Sequence, residues 1–469
     1  MLTLKNISKS FSANYVVWLV FFILASNILL FTYLNSVPYV KSDGWRFIDI
    51  YLIPWNEGTL QLGDFFRDHH PQPLTAGLFI FNSEFFGLRM DYEALLGVIF
   101  VILSSFILVK ELEKRGLSTL SLIVVAVVSM SLVSVNTYTW SLVTISYIGG
   151  FFGLLVIFYI DRVAKTEMPA GSSVKLFLVL LVFSIIFGTA AKIIYASIIA
   201  VFLVGGVFER KLNFFKLIAL VILVLLVSGQ FYSALGVESS YSDRLPGRDL
   251  TRVFEFFGEF LKFLGIGFLS AWGKVGYLKK IDGVGNNFIG LVGLTLLITY
   301  VATCLLFYYS KLYQKTKAPL ILIMISFVAA VASWFFRYNP ELQEPIVAAT
   351  PRYYRHYAYG LIGVIWVWAE FARARTPGIR IVLNTMIVLL LVSHIVAAAE
   401  GWRMSKYIRK GIVDVSELML THGNGDYSKK PPRYVTGGNY PKRYKKGITY
   451  LKDNKLNVFM DPDFIEKYR

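Results

Sequence analysis

The stretch YVVWLVFFILASNILLFTYLNSV, residues 15–37, decides the fold of this chain. It carries no charge, and a helix of about 20 apolar residues is long enough to cross the hydrocarbon core of a membrane. Similar runs recur along the 469 residues, of which 56% are hydrophobic and only 16% are charged. The sequence therefore predicts an all-α polytopic membrane protein. The first run is too long for the core of a signal peptide, so we interpret it as a retained span.

The spacing of the apolar runs predicts about eleven transmembrane helices. They lie at about 15–37, 92–109, 117–136, 141–160, twice within 176–208, and at 215–235, 287–309, 318–336, 359–372 and 381–399. Residues 176–208 are too many for one span and enough for two short ones. A tight outer turn near Gly188–Lys192 is therefore predicted between them.

Basic residues predict the orientation of these spans. Six segments between them carry two or three Lys or Arg each, whereas the short turns on the other side carry only Lys192. Cytoplasmic loops are enriched in Lys and Arg, so this pattern predicts a multi-pass protein of the inner (plasma) membrane with its long loops outside. The net charge of +17 then comes from the basic residues that orient the spans and from one basic tail. It does not indicate a surface for nucleic acid.

Three long segments fall on the predicted outer side, at 38–91, 237–285 and 336–358. In the first two, apolar side chains recur at helical spacing, which predicts helices that lie in the membrane interface. These positions are Leu74, Leu78, Phe81, Phe85 and Phe86, and then Val253, Phe256, Phe257, Phe260, Leu261 and Leu264. We predict a transmembrane domain over residues 1–400 and a small C-terminal extracytoplasmic region over residues 401–469.

The first outer loop concentrates groups that can carry chemistry. It holds Asp43, Asp49, Glu57, Asp64, Asp68 and Glu84, the pair His69 and His70, and Trp45 and Trp55. Long connections with no evident structural role are often functional. A transporter places its polar and broken-helix signals in mid-membrane, but here the spans are mostly free of them. The pattern therefore favours an enzyme whose active site lies at the outer leaflet.

This organisation resembles that of the GT-C glycosyltransferases. The resemblance rests on an acid soon after the first span, a long first outer loop with interfacial helices, about eleven spans, and a C-terminal extracytoplasmic region. SDGW at Ser42–Trp45 and DHHPQPL at Asp68–Leu74 resemble first-loop motifs of bacterial members, and TPRYYRH at Thr350–His356 resembles a late Arg-Tyr motif. The two-acid pair that usually follows the first span is absent, because Gly44 follows Asp43.

The resemblance implies transfer of a sugar from a polyprenyl-phosphate carrier to a cell-surface glycan or glycolipid. The partners it implies are this lipid-linked donor, the acceptor and the bilayer, with no nucleic acid. No cofactor is predicted, although His69 and His70 could ligate a divalent metal as one alternative. Two other functions remain open, a transporter or flippase of a lipid-linked saccharide, and a polysaccharide polymerase or ligase.

Transfer of this kind needs a carboxylate that takes the proton of the attacking hydroxyl. Asp43 is the first candidate because it stands closest to the membrane exit of the first span. Asp49 is the reserve, and Asp68 is a third candidate for catalysis or for positioning the acceptor. The alternative for each is an ordinary solvated acid in a loop.

The departing phosphate needs cations or hydrogen-bond donors, and Arg offers a fork of donors to phosphate. The candidates are Arg352, Tyr353, Arg355, His356, Lys192, His69 and His70, with Arg337 and Arg244 as weaker options. The alternative is anchoring, since Arg and Tyr are common at the ends of membrane helices and a long Lys side chain can reach the interface.

Trp45, Trp55 and Glu84 are candidates for binding the sugar or the acceptor. The alternative for each Trp is a place in the membrane interface, where Trp is enriched. The basic stretch 429–455 either binds an anionic glycan or lipid head group or forms a small cap over the loops.

Overall fold

The computed structural model describes residues 4–66, 73–164, 170–209, 212–234, 251–273, 275, 285–338, 345–350, 353–373 and 375–460. These residues form helices, and no strand occurs among them. The α-helices are α1 (Leu4–Asn35), α2 (Gly44–Phe47), α3 (Ile53–Asn56), α4 (Pro73–Phe86), α5 (Met90–Lys114), α6 (Thr119–Ser129), α7 (Val135–Tyr138), α8 (Thr144–Val163), α9 (Ala170–Glu209), α10 (Leu212–Ala234), α11 (Thr251–Glu255), α12 (Phe257–Trp272), α13 (Asn286–Tyr309), α14 (Ala318–Arg337), α15 (Tyr354–Arg373), α16 (Pro377–Gly423), α17 (Arg433–Thr436) and α18 (Lys442–Asp453). A π-helical turn, Ile48–Leu52, joins α2 to α3.

Eight helices in the described part of the chain are long and apolar enough to cross a membrane. They are Tyr15–Asn35, Met90–Lys114, Thr144–Val163, Gly171–Gly188, Ala190–Val207, Asn287–Tyr309, Ala318–Phe335 and Pro377–Gly423. Large apolar side chains point outward from them, such as Ile298 and Leu305, each 67% exposed. Such a surface fits lipid and not water. The prediction of an all-α polytopic membrane protein is confirmed.

Three of the predicted spans coincide with helices that are shorter or less apolar. They are α6, the apolar segment Phe214–Gln230 of α10, and α15. The predicted third span, 117–136, is cut short because α6 ends at Ser129. The Ser131 hydroxyl then accepts the Val133 N–H and starts a short 3-10 turn. Irregular backbone at this depth is tolerated where protein or a water-filled cavity satisfies it.

The predicted turn near Gly188–Lys192 is present at Gly188. This residue has φ 42° and ψ −104°, which breaks α9 into two halves. The halves pack on each other as a hairpin, because the Tyr195 hydroxyl donates to the Leu180 carbonyl. The rings of Phe183 and Tyr195 also lie 6.0 Å apart.

We expect Gly188→Ala to destabilise the protein by about 1 kcal/mol or more, since a side chain at this positive φ is strained. Gly171→Ala is the matched control in the same helix, because a Cβ there meets nothing within 4 Å. Thermal unfolding of the detergent-purified proteins measures both. Equal melting temperatures for the two variants would contradict the strained turn.

Polar contacts join the helices at one end of the bundle, which we call the opposite face (residues 111–118, 161–164, 209 and 310–317). The Asp161 carboxylate is 1% exposed and accepts from Arg115 Nη2 at 3.2 Å and from the Thr316 hydroxyl at 3.0 Å. The backbone N–H of Lys317 also donates to Asp161, at 2.5 Å, and the Lys317 ammonium pairs with Glu209. These contacts tie α5, α8, α9 and α14 together.

Asp161→Asn should lower the free energy of unfolding by about 3 kcal/mol, because it removes the charge of a buried, fully engaged carboxylate. Arg162→Gln is the control, since its exposed guanidinium pairs with Glu111 at 3.4 Å and such pairs contribute about 1 kcal/mol or less. Chemical unfolding in mixed micelles measures the difference. Similar losses of unfolding free energy in both variants would show that Asp161 does not stabilise this end of the bundle.

The first loop and the C-terminal region meet at the other end of the bundle, which we call the loop face (residues 36–66, 73–89 and 401–460). The Ser42 N–H donates to the Val435 carbonyl at 2.6 Å, and the Asn457 amide donates to the Pro38 carbonyl at 2.9 Å. Side chains from both segments form a hydrophobic cluster separate from that of the bundle.

A continuous helix, α16, runs from the bundle into the loop face. Its 47 residues extend about 70 Å, more than twice the hydrocarbon thickness of about 30 Å. The domain boundary predicted at residue 400 therefore falls inside a continuous helix, and the C-terminal region continues from it without a linker.

The two predicted interfacial helices differ. In α4, Leu74 and Leu78 pack on the bundle, while the side chain of Phe85 is 70% exposed and its neighbours Phe81 and Phe86 are exposed as well. This arrangement fits a helix that dips its aromatic side into lipid.

The second predicted interfacial helix continues into the bundle. Of its six predicted apolar positions, Leu264 is buried, Phe257 is 53% exposed and the other four are half-buried. Residues 263–271 of α12 are buried, and a Cβ on Gly265 would lie 2.3 Å from the Gly293 backbone of α13. The two glycines let the backbones approach closely, as small residues do between membrane helices. The periodicity of the sequence predicted an apolar face on α12. It did not indicate that another helix packs against α12.

Candidate active site

A narrow polar cavity opens inside the bundle between α7, α8, the second half of α9, α14 and the start of α15. It offers about 20 Å³ of space to the centre of a water molecule, enough for one or two waters. Its polar wall consists of Thr137, Tyr138, Ser146, Tyr147, Tyr354, Arg355, His356 and Tyr359. None of the described residues that line it is acidic.

Arg355 is the charged group of this cavity. Its side chain is only 6% exposed, and its Nη1 donates to the Ser129 carbonyl at 2.5 Å. The Nε and Nη2 atoms are buried and have no hydrogen-bond partner among the described residues. Arg stays protonated in proteins, and a buried charge without a counter-ion is unfavourable. The cavity is therefore suited to an anion.

Four tyrosines form half of the polar wall around this cation. The rings of Tyr138 and Tyr147 stack at 5.9 Å, and the guanidinium carbon of Arg355 lies 4.9 Å from the ring centre of Tyr359. The Tyr359 hydroxyl is buried and unpaired within the described residues. It fits there because Gly150 has no side chain, and a Cβ at that position would lie 2.7 Å from the hydroxyl. Phenols donate hydrogen bonds, so these groups add donors for an anion.

The early end of α6 explains why these groups converge. The last carbonyls of a helix lack partners within it, and here Tyr354 and Arg355 supply donors to Val128 and Ser129. The irregular segment that follows α6 carries Tyr138 to the cavity. Arg355 thus also caps α6, with one of its donor groups.

The first loop borders the cavity wall. The Val37 N–H donates to the Thr139 carbonyl at 3.1 Å, and the Lys41 ammonium lies 5.3 Å from the ring centre of Trp140. Burial lowers the pKa of Lys41 to about 8. The contacted residues Thr139 and Trp140 directly follow Tyr138 in the sequence, and Asp43 follows Lys41 by two residues. Asp43 is exposed and makes no side-chain hydrogen bond at the N-terminus of α2.

Asp49, in contrast to Asp43, takes part in ion pairs with the C-terminal region. Its carboxylate pairs with the Lys446 ammonium at 2.6 Å and with Arg443 Nε at 3.4 Å. Two cations thus engage this carboxylate. Asp49 therefore ties the first loop to α18, which makes it a poorer candidate for the base than Asp43.

The two tryptophans separate into a buried and an exposed one. Trp45 has no exposed surface, donates its indole N–H to the Val435 carbonyl at 2.9 Å, and contacts the Tyr444 ring edge-on at 4.6 Å. A fully buried ring cannot stack on a sugar. Trp45 therefore packs between the first loop and the C-terminal region instead of binding a sugar or acceptor as predicted. Trp55 is exposed and donates to Glu84 at 2.8 Å, which places these two candidates together on the loop surface.

The remaining candidates for the phosphate site are only partly brought together. Arg355 and His356 line the cavity, and Tyr353 precedes them with a half-buried side chain. Lys192 is exposed, although Ala190 and Ile194 on the same helix line the cavity. The candidates outside the described residues are Asp68, His69, His70, Arg352, Arg244 and the side chain of Arg337.

Sequence reasoning missed a polar cluster at the start of α5. Arg89 donates twice to Asp91, at 2.9 and 2.6 Å, and the buried Glu93 accepts from the Asn82 amide at 2.8 Å. The Thr144 hydroxyl donates to the Glu93 carbonyl at 2.7 Å, which places this acid close to the cavity wall. The acids in the first turn of α5 were the available signal.

No group of three His, Cys, Asp or Glu able to hold a metal ion occurs within the ranges that the structure describes. Comparison of the chain with protein-family models, characterised proteins and solved structures finds no match. The chemistry of the cavity and of the loop face is therefore the basis for a functional proposal.

Proposed function

We propose that this protein is a GT-C-type glycosyltransferase that moves a sugar from a polyprenyl-phosphate carrier to a surface glycan or glycolipid at the outer face of the inner membrane. One observation carries the proposal. Arg355 offers buried, unpaired donors to a cavity whose described lining holds no acid and several phenols. A phosphate oxygen that enters this cavity would satisfy these donors, and the negative charge of the phosphate would balance that of Arg355.

The reaction uses one group on the loop face and one group in the cavity of the bundle. Asp43 accepts the proton of the acceptor hydroxyl as its oxygen attacks the anomeric carbon of the donor. The bond from that carbon to the phosphate oxygen breaks, and the polyprenyl phosphate leaves with the electron pair. Arg355 stabilises the charge that develops on this phosphate. Attack opposite the phosphate inverts the anomeric centre.

Two features favour this proposal over the alternatives. A transporter needs a polar path through the membrane, whereas the network around Asp161 ties the opposite face together. A polymerase or ligase handles a lipid diphosphate, but Arg355 is the one guanidinium that lines the cavity among the described residues. A single cation with two free donor positions suits a monophosphate better.

Binding of polyprenyl phosphate to the protein in neutral-lipid nanodiscs tests the proposal. We expect it to bind at least about tenfold more tightly than the uncharged polyprenol of the same length, as a charge-assisted pair requires. With a labelled polyprenyl-phosphate sugar, label should pass to an acceptor and release polyprenyl phosphate. Equal binding of both lipids, or movement of the intact lipid-linked sugar across the bilayer without bond cleavage, would contradict the proposal.

A further inference from the structure

The C-terminal region carries an excess of positive charge on its surface. Residues 425–460 hold nine Lys and Arg against two Asp. We call the exposed cations of this segment that do not pair with the first loop the basic face. They are Lys429, Lys430, Arg433, Lys442, Lys445, Lys452 and Lys455.

The packing of α18 fixes the direction in which these charges point. Its apolar side, with Tyr444, Ile448 and Leu451, is fully buried against the first loop and α16. A Cβ on Gly447 would lie 2.8 Å from the Trp45 ring, so helix and loop are in close contact. The cations on the other side of α18 are therefore held outward.

Aromatic side chains lie among these cations. Tyr434 is 60% exposed beside Arg433, and the Lys445 ammonium lies 4.4 Å from the ring centre of Tyr427. An aromatic ring offers an apolar surface together with a polar tip. This mixture of cations and phenols suits a polymer with both anionic groups and sugar rings.

The basic face adjoins the candidate base. The Val435 carbonyl accepts the Ser42 N–H, and the Asn439 amide donates to the Ser42 carbonyl at 3.0 Å. The segment that follows Arg433 therefore wraps the residue immediately before the exposed Asp43. A chain lying along the basic face would bring its hydroxyl groups to Asp43.

The position of α18 along α16 separates its first turn from the end of α1. Ser405 bonds to Asn35 at the end of α1, whereas His422 bonds to Tyr444 of α18. The 17 residues from Ser405 to His422 span about 25 Å of helix. The exposed cations of this first turn are therefore accessible to a soluble polymer.

We propose that the basic face binds an anionic glycan and presents it to Asp43 as the acceptor. The acceptor role rests on the proposed glycosyltransferase function, whereas the binding itself does not. An acidic polysaccharide satisfies both the charge and the aromatic surface, and its binding is weakened by salt.

The test compares binding of polygalacturonate and of neutral dextran to the full chain in neutral-lipid nanodiscs. Lys430→Gln, Lys442→Gln and Lys445→Gln are combined, since these cations do not pair with the first loop. The matched control combines Lys114→Gln, Lys311→Gln and Lys315→Gln, which removes three exposed charges from the opposite face. We expect the first triple variant to lose about tenfold or more in affinity for polygalacturonate and the control to bind as the wild type does.

Equal affinity for polygalacturonate and dextran, or equal losses in the two triple variants, would overturn the proposal. A loss that appears only with phosphatidylglycerol vesicles would also overturn it, because the face would then be a membrane contact. The Arg355→Gln variant distinguishes a failure of this inference from a failure of the proposed function. If the protein and its variants bind polygalacturonate but do not bind polyprenyl phosphate, the transferase proposal fails and the glycan site remains.

Discussion

Replacing Arg355 with glutamine is expected to reduce sugar transfer by about a hundredfold or more, the loss typical for a donor that stabilises developing charge. The variant keeps a polar, though shorter, side chain and removes the cation of the cavity. Binding of polyprenyl phosphate should weaken together with turnover, since both depend on the same unpaired Nε and Nη2 donors. Titration of the lipid phosphate and single-turnover transfer measure the two effects separately.

The conservative variant and a neighbouring one distinguish this role from a structural one. Arg355→Lys keeps the charge but loses the fork, so it should recover part of the phosphate binding. Tyr354→Phe removes the bond to the Val128 carbonyl and weakens the end of α6 without touching the cation. If Tyr354→Phe lowered transfer as much as Arg355→Gln, Arg355 would act as a cap of α6 and the phosphate site would lie elsewhere.

Much of the fold followed from the sequence because lipid imposes a simple rule. Apolar runs of the required length became helices, and the excess length of 176–208 indicated two helices with a turn, which Gly188 forms. The early end of α6 at Ser129 did not follow, since the apolar run continues past it. Its carbonyls are satisfied by Tyr354 and Arg355, residues far along the chain that no local pattern connects to α6.

The site was predictable only where its residues cluster in sequence. The dense polar run at the start of α15 drew attention to Arg355 and His356, and both line the cavity. Tyr138, Tyr147 and Tyr359 escaped attention because isolated tyrosines in membrane helices resemble interface anchors. Their shared role depends on the packing of three helices.

Long-range pairing also decided the roles of the first-loop residues. Trp45 looked available for a sugar, but its partner Val435 lies 390 residues away. Asp49 and its partner Lys446 are 397 residues apart. Neither contact leaves a trace in local sequence, so composition could identify the loop as important without assigning its individual residues.

Replacing Asp43 with asparagine should lower turnover by about a hundredfold or more while binding of polyprenyl phosphate persists. The change keeps the size of the side chain and removes its basicity. The structure favours Asp43 over Asp49 as the base because Asp43 is exposed beside the basic face, whereas two cations engage Asp49. A carboxylate that is free to meet the acceptor can accept its proton, and one held in an ion pair is less able to do so.

Asp49→Asn is the matched control for this prediction. It should leave turnover within a few-fold of the wild type and lower stability by about 1 kcal/mol or less, because its ion pair is partly exposed. A dead Asp49→Asn protein with an active Asp43→Asn protein would move the base to Asp49. Glu93→Gln and Asp68→Asn extend the series, since a buried carboxylate near the cavity wall or an acid beside the histidine pair is the next candidate. Normal turnover in all four variants would remove these acids from the chemistry, and the glycosyltransferase proposal would fail with them.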